Sequence, residues 1–327
     1  MIIVRTPYRV SFFGGGTDYP AWFRANGGSV LTSTLNKYCY ISLRRMPAFL
    51  GSKYLIFWSR MEKANRREDI QHPGVRGCLE YLGIDEGIEI NHAGDLPARS
   101  GLGSSSAFTV GMLNALHALR GEHVGPGQLA DEAIHVEQDV LKETVGIQDQ
   151  IECAHGGLNL INIDPEGGYS VAPVIMPAGQ RAQLESRLML FFTGLQRNAS
   201  DIAAAQVANA ERKHRELSAI AALVPQVVSC LARGDISSFG PFLHESWMLK
   251  RELAESVSNE KIDDIYRRAI QAGATGGKLL GAGSGGFVLF YVPVQSQPMV
   301  RAALNELLEI PFKFGSEGSR VVLYEPN

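Results

Sequence analysis

Residues 96–108 read LPARSGLGSSSAF, with two glycines and three consecutive serines set directly ahead of a long apolar run. A strand-like segment, GIEINHAGDLP (87–97), precedes it. SSSAFTVGMLNALHALRG (104–121) follows, apolar nearly all round and closed by Gly121, which predicts a largely buried helix. A helix N-terminus leaves N–H groups free and carries partial positive charge, so strand, glycine–serine loop and helix in this order suit a bound anion. The competing reading is a serine cluster that caps the helix and holds no ligand. Two familiar nucleotide loops are excluded. No lysine follows GLGSSSAF as a P-loop requires. The dinucleotide pattern in GAGSGG (Gly281, Gly283, Gly286) leads into FVLFYV, a strand rather than a helix.

The whole chain sets bounds on the answer. Its 327 residues allow two domains with real cores, and 45% apolar against 20% charged residues is a globular balance. A net charge of −3 argues against nucleic acid or an anionic membrane as partner. Cys39, Cys78, Cys153 and Cys230 are scattered, without a C-x-x-C pair, and read as reduced thiols of a cytoplasmic protein. MIIVRTPYRVSFF lacks the features of a signal peptide, and no run is expected to reach membrane-spanning length. The eight histidines show no metal spacing. Glycine is over-represented, 35 residues against a usual share of about 7%. It clusters at 14–16, 101–103, 156–157, 167–168 and 273–286, where backbone turns tightly or nears a ligand.

Strands are expected in MIIVRTPYRVSFF, GSVLTSTLNKYCYISLRRM, KYLIFWS, RLMLFFTG, GFVLFYV and SRVVLYE. Helices are expected in HPGVRGCLEYLG, in PGQLADEAIHVEQDVLKET (126–144), and over 200–233 and 241–272. A domain boundary is placed near 180, giving lobes 1–180 and 181–327.

Three segments, read together, carry the chemistry: PYRVSFFGGGTDYP (7–20), LPARSGLGSSSAF, and GGKLLGAGSGGFVLFY (276–291). In this order and at these distances they resemble the GHMP family of small-molecule kinases, which includes galactokinase, homoserine kinase and mevalonate kinase. The resemblance spans most of the chain. It implies an α+β, two-lobed fold with the nucleotide cleft between the lobes, ATP as donor, a magnesium ion, and a sugar or sugar phosphate as acceptor. A homodimer is left open.

On that resemblance Pro97, Gly101, Leu102, Gly103, Ser104, Ser105 and Ser106 form the ATP phosphate loop, and Ser105 and Glu137 hold magnesium. Asp149, in GIQDQ (146–150), would take the proton of the acceptor hydroxyl, and Arg9 matches the basic position of the first motif. Gly15, Gly16, Thr17, Asp18 and Gly283 would meet the sugar. Galactokinase has an acidic and a basic residue where this chain has Gly15 and Gly16, which leaves room for a differently shaped sugar.

Plainer readings stand beside these. Helical spacing puts Glu137 on a stripe with Ala133, Val140 and Leu141, where a salt bridge would also serve it. Asp149 suits a turn or cap in its glycine-rich neighbourhood, and Thr17–Asp18 is ordinary turn chemistry. In TGLQRNASDIAAAQ (193–206), Arg197 beside a helix start at Ser200 would meet a phosphate on the acceptor; a solvated arginine is the alternative.

Within the family, the first segment and FKFGSEGSRVVLYE (312–325) look most like kinases that phosphorylate the anomeric hydroxyl of D-glycero-D-manno-heptose 7-phosphate, a step toward nucleotide-activated heptose for surface polysaccharide. Rivals are a kinase of another sugar such as fucose, and a sugar-binding protein of the same fold without turnover.

Overall fold

The computed structural model describes residues 1–47, 49, 51–195 and 199–326. Strands β1 (Ile2–Phe13), β2 (Gly28–Arg45), β3 (Tyr54–Phe57), β4 (Met61–Ala64), β5 (Ile88–Gly94), β6 (Leu158–Ile163) and β7 (Tyr169–Pro173) belong to one sheet. A second, antiparallel sheet has the order β11-β8-β10-β9, from β8 (Leu188–Phe192), β9 (Gly276–Leu279), β10 (Phe287–Tyr291) and β11 (Leu308–Glu309). The remaining strand, β12 (Arg320–Tyr324), crosses back to the first sheet and pairs with β1. The first sheet therefore runs β12-β1-β2-β5-β3-β4, with β6 and β7 branching from β2.

Helices α1 (Pro20–Asn26), α2 (Pro73–Tyr81), α3 (Ser104–Leu119), α4 (Pro126–His135) and α5 (Gln148–His155) come before the second sheet begins. After them come α6 (Gln180–Ser186), α7 (Ala199–Ala208), α8 (His214–Ala232), α9 (Phe239–Arg251), α10 (Glu260–Gln271) and α11 (Gln297–Ala303). The two long helical stretches expected from the sequence are each broken in two. Helix α8 is 19 residues of mean hydropathy 1.3, long and apolar enough to cross a membrane, which corrects the expectation that no run reaches that length. Here its Leu217, Ile220, Val224 and Val227 face is buried instead, against β2 and α9.

Two features of this frame position the site. Helix α3 lies on β1 and β2 with nearly every side chain buried, as its apolar pattern predicts. Strand β1 is irregular where Pro7 interrupts it. Pro7 pairs with Tyr38, yet Arg9 pairs with Thr34, so β2 carries two extra residues between them. The Arg9 N–H donates instead to the Leu102 carbonyl at 3.0 Å. The phosphate-loop candidate is thereby stitched to the strand that carries the candidate arginine.

Candidate active site

The N-terminus of α3 has no side-chain cap. Gly103 sits at the cap position with φ +71°, and none of the three serines bonds back to the first-turn N–H groups. The capping explanation for the serine cluster therefore fails, and the donors stay free for an anion. Ser104 Oγ accepts from the Arg99 N–H outside the helix, and Ser106 Oγ donates to Glu137. A side chain at Gly103 would crowd Arg9: an added Cβ would lie 3.0 Å from Arg9 Cγ, beside Asp149 Oδ2 at 3.5 Å. Close approach, as well as the left-handed backbone, calls for glycine there.

Arg9 and Asp149 form a two-pronged ion pair, Nε to Oδ1 at 2.6 Å and Nη2 to Oδ2 at 2.5 Å, and Arg9 Nη1 donates to the Gly101 carbonyl at 2.8 Å. Burial alone would lower the Arg9 pKa; the facing carboxylate more than offsets it and raises the guanidinium pKa. Asp149 opens α5, a helix where the glycine-rich surroundings had suggested a turn. Asp18 is buried with Oδ1 accepting from the Gly16 N–H, and burial, reinforced by the Asp149 charge, raises its pKa.

A cavity of about 790 Å³ joins these groups. Gly15, Gly16, Asp18, Gly101 and the Gly103–Ser106 run all border it. Four expectations need correcting. Leu102 is buried, offering the cavity nothing but the carbonyl that holds Arg9 in place. Pro97 does not border the cavity, although Leu96 and Ala98 do. Thr17 is fully buried, its hydroxyl donating to the Gly14 and Ser29 carbonyls. Gly283 packs on the Val257 backbone, and the cavity is reached by Gly281 and Ala282. Arg197 lies outside the described residues, and Ser200 falls within α7.

Glu137 is wholly buried, but not on a regular helix. It sits in a π-helical turn, Val136–Val140, that continues α4, so the stripe inferred from regular spacing does not hold. One carboxylate oxygen accepts from Ser106 Oγ at 3.0 Å and Gln150 Nε2 at 2.5 Å; the other has no partner among the described residues. Ser105, the expected companion, does not touch Glu137; it is exposed on the cavity wall. Burial lifts the Glu137 carboxyl to about 8. A buried carboxylate with one orphaned oxygen behind a phosphate-type loop fits a divalent cation. Magnesium bound to phosphates needs only one or two protein oxygens. Among the described residues no cluster of three or more His, Cys, Asp or Glu could hold a metal ion on its own.

Sequence reasoning missed both ends of the cavity. At one end Trp58, His72, His92 and Phe108 gather, with the His72 ring stacked on Phe108 at 4.6 Å. Burial, with help from His92, lowers His72 to about 4, so the ring is neutral near pH 7. At the other end stand Lys250 and Lys278, both nearly inaccessible.

Glu152, three residues beyond Asp149 on α5, is also wholly buried, with Asn159 its one side-chain partner among the described residues at 3.0 Å, and burial raises its carboxyl to about 8. Between about pH 4.5 and 8 the unfolded chain releases this proton while the folded chain keeps it. Stability therefore falls as pH rises through that window. Glu152→Gln stays neutral throughout, so its thermal midpoint is expected to gain on the parent's between pH 5 and pH 8. Glu137 titrates alike in both proteins and cancels from the difference. An equal difference at the two pH values would sink the assignment.

Comparison with known proteins agrees with this geometry. Residues 74–157 match the GHMP kinases N terminal domain and residues 227–310 the GHMP kinases C terminal domain, together just over half the chain. D-glycero-alpha-D-manno-heptose 7-phosphate kinase of Campylobacter jejuni subsp. jejuni serotype O:2 is 28% identical over 97% of both chains. Galactokinase of Pyrococcus furiosus is 27% identical over 89% of both. The crystal structure of a D-glycero-D-manno-heptose 1-phosphate kinase from Bacteroides thetaiotaomicron shares the fold. It superposes with a TM-score of 0.81 at 24% identity, covering 99% of this chain and 100% of that one. The chain belongs to the GHMP kinases. It is a phosphotransferase with an alcohol group as acceptor.

Proposed function

We propose that the protein is an ATP- and magnesium-dependent sugar kinase that phosphorylates the anomeric hydroxyl of D-glycero-D-manno-heptose 7-phosphate. The observation that carries the phosphoryl-transfer reading is the two-pronged Arg9–Asp149 pair packed against Gly103 at the uncapped start of α3. The choice of sugar is supported by the 28% identical Campylobacter heptose kinase, matched over nearly its whole length, and by Gly15 and Gly16.

In this reading the aromatic end takes the flat base of the nucleotide between neutral rings. The first-turn N–H groups of α3, with Ser104 and Ser105, take its phosphates. Magnesium, when bound, neutralises phosphate charge and fixes the donor's geometry; Ser105 and the free oxygen of Glu137 are the groups that would hold it. Asp149 accepts the proton of the acceptor hydroxyl. An anomeric hydroxyl is more acidic than an ordinary alcohol, which eases that step. Arg9 keeps Asp149 aimed, and presents positive charge to the transferring group. Asp18 accepts from a further hydroxyl of the sugar. The first lobe (1–180) would then supply the phosphate loop and base, and the second (181–327) the opposite wall.

The test is an acceptor panel: purified protein, ATP and magnesium with sugars and sugar phosphates, followed by ADP release. Strong preference for fucose or for another unphosphorylated sugar would replace the heptose assignment. No ADP release with any acceptor would point to a binding protein. For the metal, Ser105→Ala with Glu137→Gln is expected to raise the magnesium needed for half-maximal activity, since each loses one proposed oxygen ligand. The magnesium-induced rise in thermal midpoint, measured with a non-hydrolysable ATP analogue, should shrink in parallel. An unchanged magnesium dependence would remove at least one of the two from the metal site.

A further inference from the structure

Lys250, near the end of α9, and Lys278, in the middle of β9 and within the GGKLLGAGSGG segment, both border the cavity, and the sequence reading gave neither a role. Their exposures are 8% and 3%. Each ammonium has three N–H donors and a single acceptor among the described residues: the Gly281 carbonyl for Lys250, and the Phe12 carbonyl at 2.8 Å for Lys278. Burial, then the Arg9 charge, lowers Lys250 to about 8; burial, then Lys250, lowers Lys278 well below the ordinary lysine value. The two lysines, Arg9 and Asp18 therefore share one small neighbourhood.

The charges there do not balance. Asp149 is engaged by Arg9 through both oxygens, and of the cavity's other carboxylates, Asp18 and Glu143, Asp18 is the one that acts on both lysines. A buried positive charge without a counterion is costly and persists where a ligand brings the negative charge. The position of the pair says which ligand. Lys278 is anchored to Phe12, just ahead of the Gly14–Asp18 loop, and Asp18 is among the charges that act on both lysines, which sets the pair beside the residues expected to meet the acceptor. We propose that Lys250 and Lys278 together seat an anionic group carried by the acceptor itself, a phosphate ester remote from the hydroxyl that reacts. This rests on the kinase reading with a phosphorylated sugar as acceptor, and it gives the substrate's own phosphate a site within the described residues.

The experiment uses the doubly substituted protein Lys250→Met/Lys278→Met and the single Lys278→Met. Methionine approximates the lysine stem, and removing buried charge is expected to leave the thermal midpoint level or higher. The single variant carries the test if the double does not fold. With a non-hydrolysable ATP analogue and magnesium filling the nucleotide site, inorganic phosphate is titrated calorimetrically. The parent should bind one phosphate, and the variants at least ~30-fold more weakly, in line with loss of charge-assisted hydrogen bonds. In turnover, KM for heptose 7-phosphate should rise ~30-fold or more relative to KM for the unphosphorylated heptose, the change falling on KM rather than kcat.

Absence of phosphate binding by the nucleotide-loaded parent would overturn the proposal. So would an equal fall in kcat for both acceptors, which would put the lysines on the transferring phosphoryl group. If the parent binds phosphate through the lysines but prefers another phosphorylated sugar, the heptose assignment falls and the anion seat stands.

Discussion

Asp149→Asn is expected to lower turnover by about 10²–10⁴-fold, the range for general acid–base help by one side chain, with nucleotide affinity held within a few-fold. The substitution keeps the shape of the side chain but removes the base. It also puts an amide NH2 or a neutral oxygen where Arg9 now meets a carboxylate on both prongs. Single-turnover ADP formation with saturating acceptor reads the chemical step, and calorimetry with a non-hydrolysable ATP analogue reads binding. A folded Asp149→Asn protein that turns over like the parent would end the case for Asp149 as the base.

Arg9→Ala has two expected consequences. Turnover should fall by about 10²–10³-fold, as when a donor aimed at developing charge is removed. The structure adds a stability cost. Arg9 fastens Asp149 to the Gly101 carbonyl, and its own N–H holds Leu102, so truncation leaves a carboxylate and a carbonyl without their side-chain donor. The Asp149 side chain is 23% exposed, and water takes over part of the loss. A cost of about 1–3 kcal/mol follows for charged hydrogen bonds lost in such a setting. Arg9→Lys should recover charge but not the fork, and sit between. Parent-like kcat in Arg9→Ala at saturating acceptor would remove the arginine from the transfer step.

The parts of the site legible in the sequence are those carried by contiguous chain. LPARSGLGSSSAF announces its helix, and the order of strand, loop and helix is enough to suggest an anion. Arg9, Asp18 and Asp149 stand inside short motifs whose neighbours fix their setting. What was not legible depends on contacts between distant segments. Trp58, His72, His92 and Phe108 come from four places in the chain, and Lys250 and Lys278, 28 positions apart, meet only in the fold. Glu137 was placed on an apolar stripe by a regular period, but the π turn at Val136–Val140 changes the period at that point. The separate role of Ser106, which holds Glu137 while Ser105 faces the cavity, needs the rotation of the first turn of α3 and cannot be had from three identical letters.

The pairing of β12 with β1 has a consequence for how the molecule is made. Residues 2–5, at the start of the strand that later presents Arg9, wait for partners at 320–324. Thr6 and Asn114 likewise both reach Ser319 through hydroxyl and amide contacts. During synthesis at about 5–20 residues per second, more than 300 further residues emerge between the two strands, roughly 15–60 seconds of translation. Over that interval one edge of β1 presents open backbone donors and acceptors, a template for wrong pairing with another nascent chain. Emergence of residues 320–324, rather than formation of the loop ahead of α3, is the event that completes the sheet around Arg9.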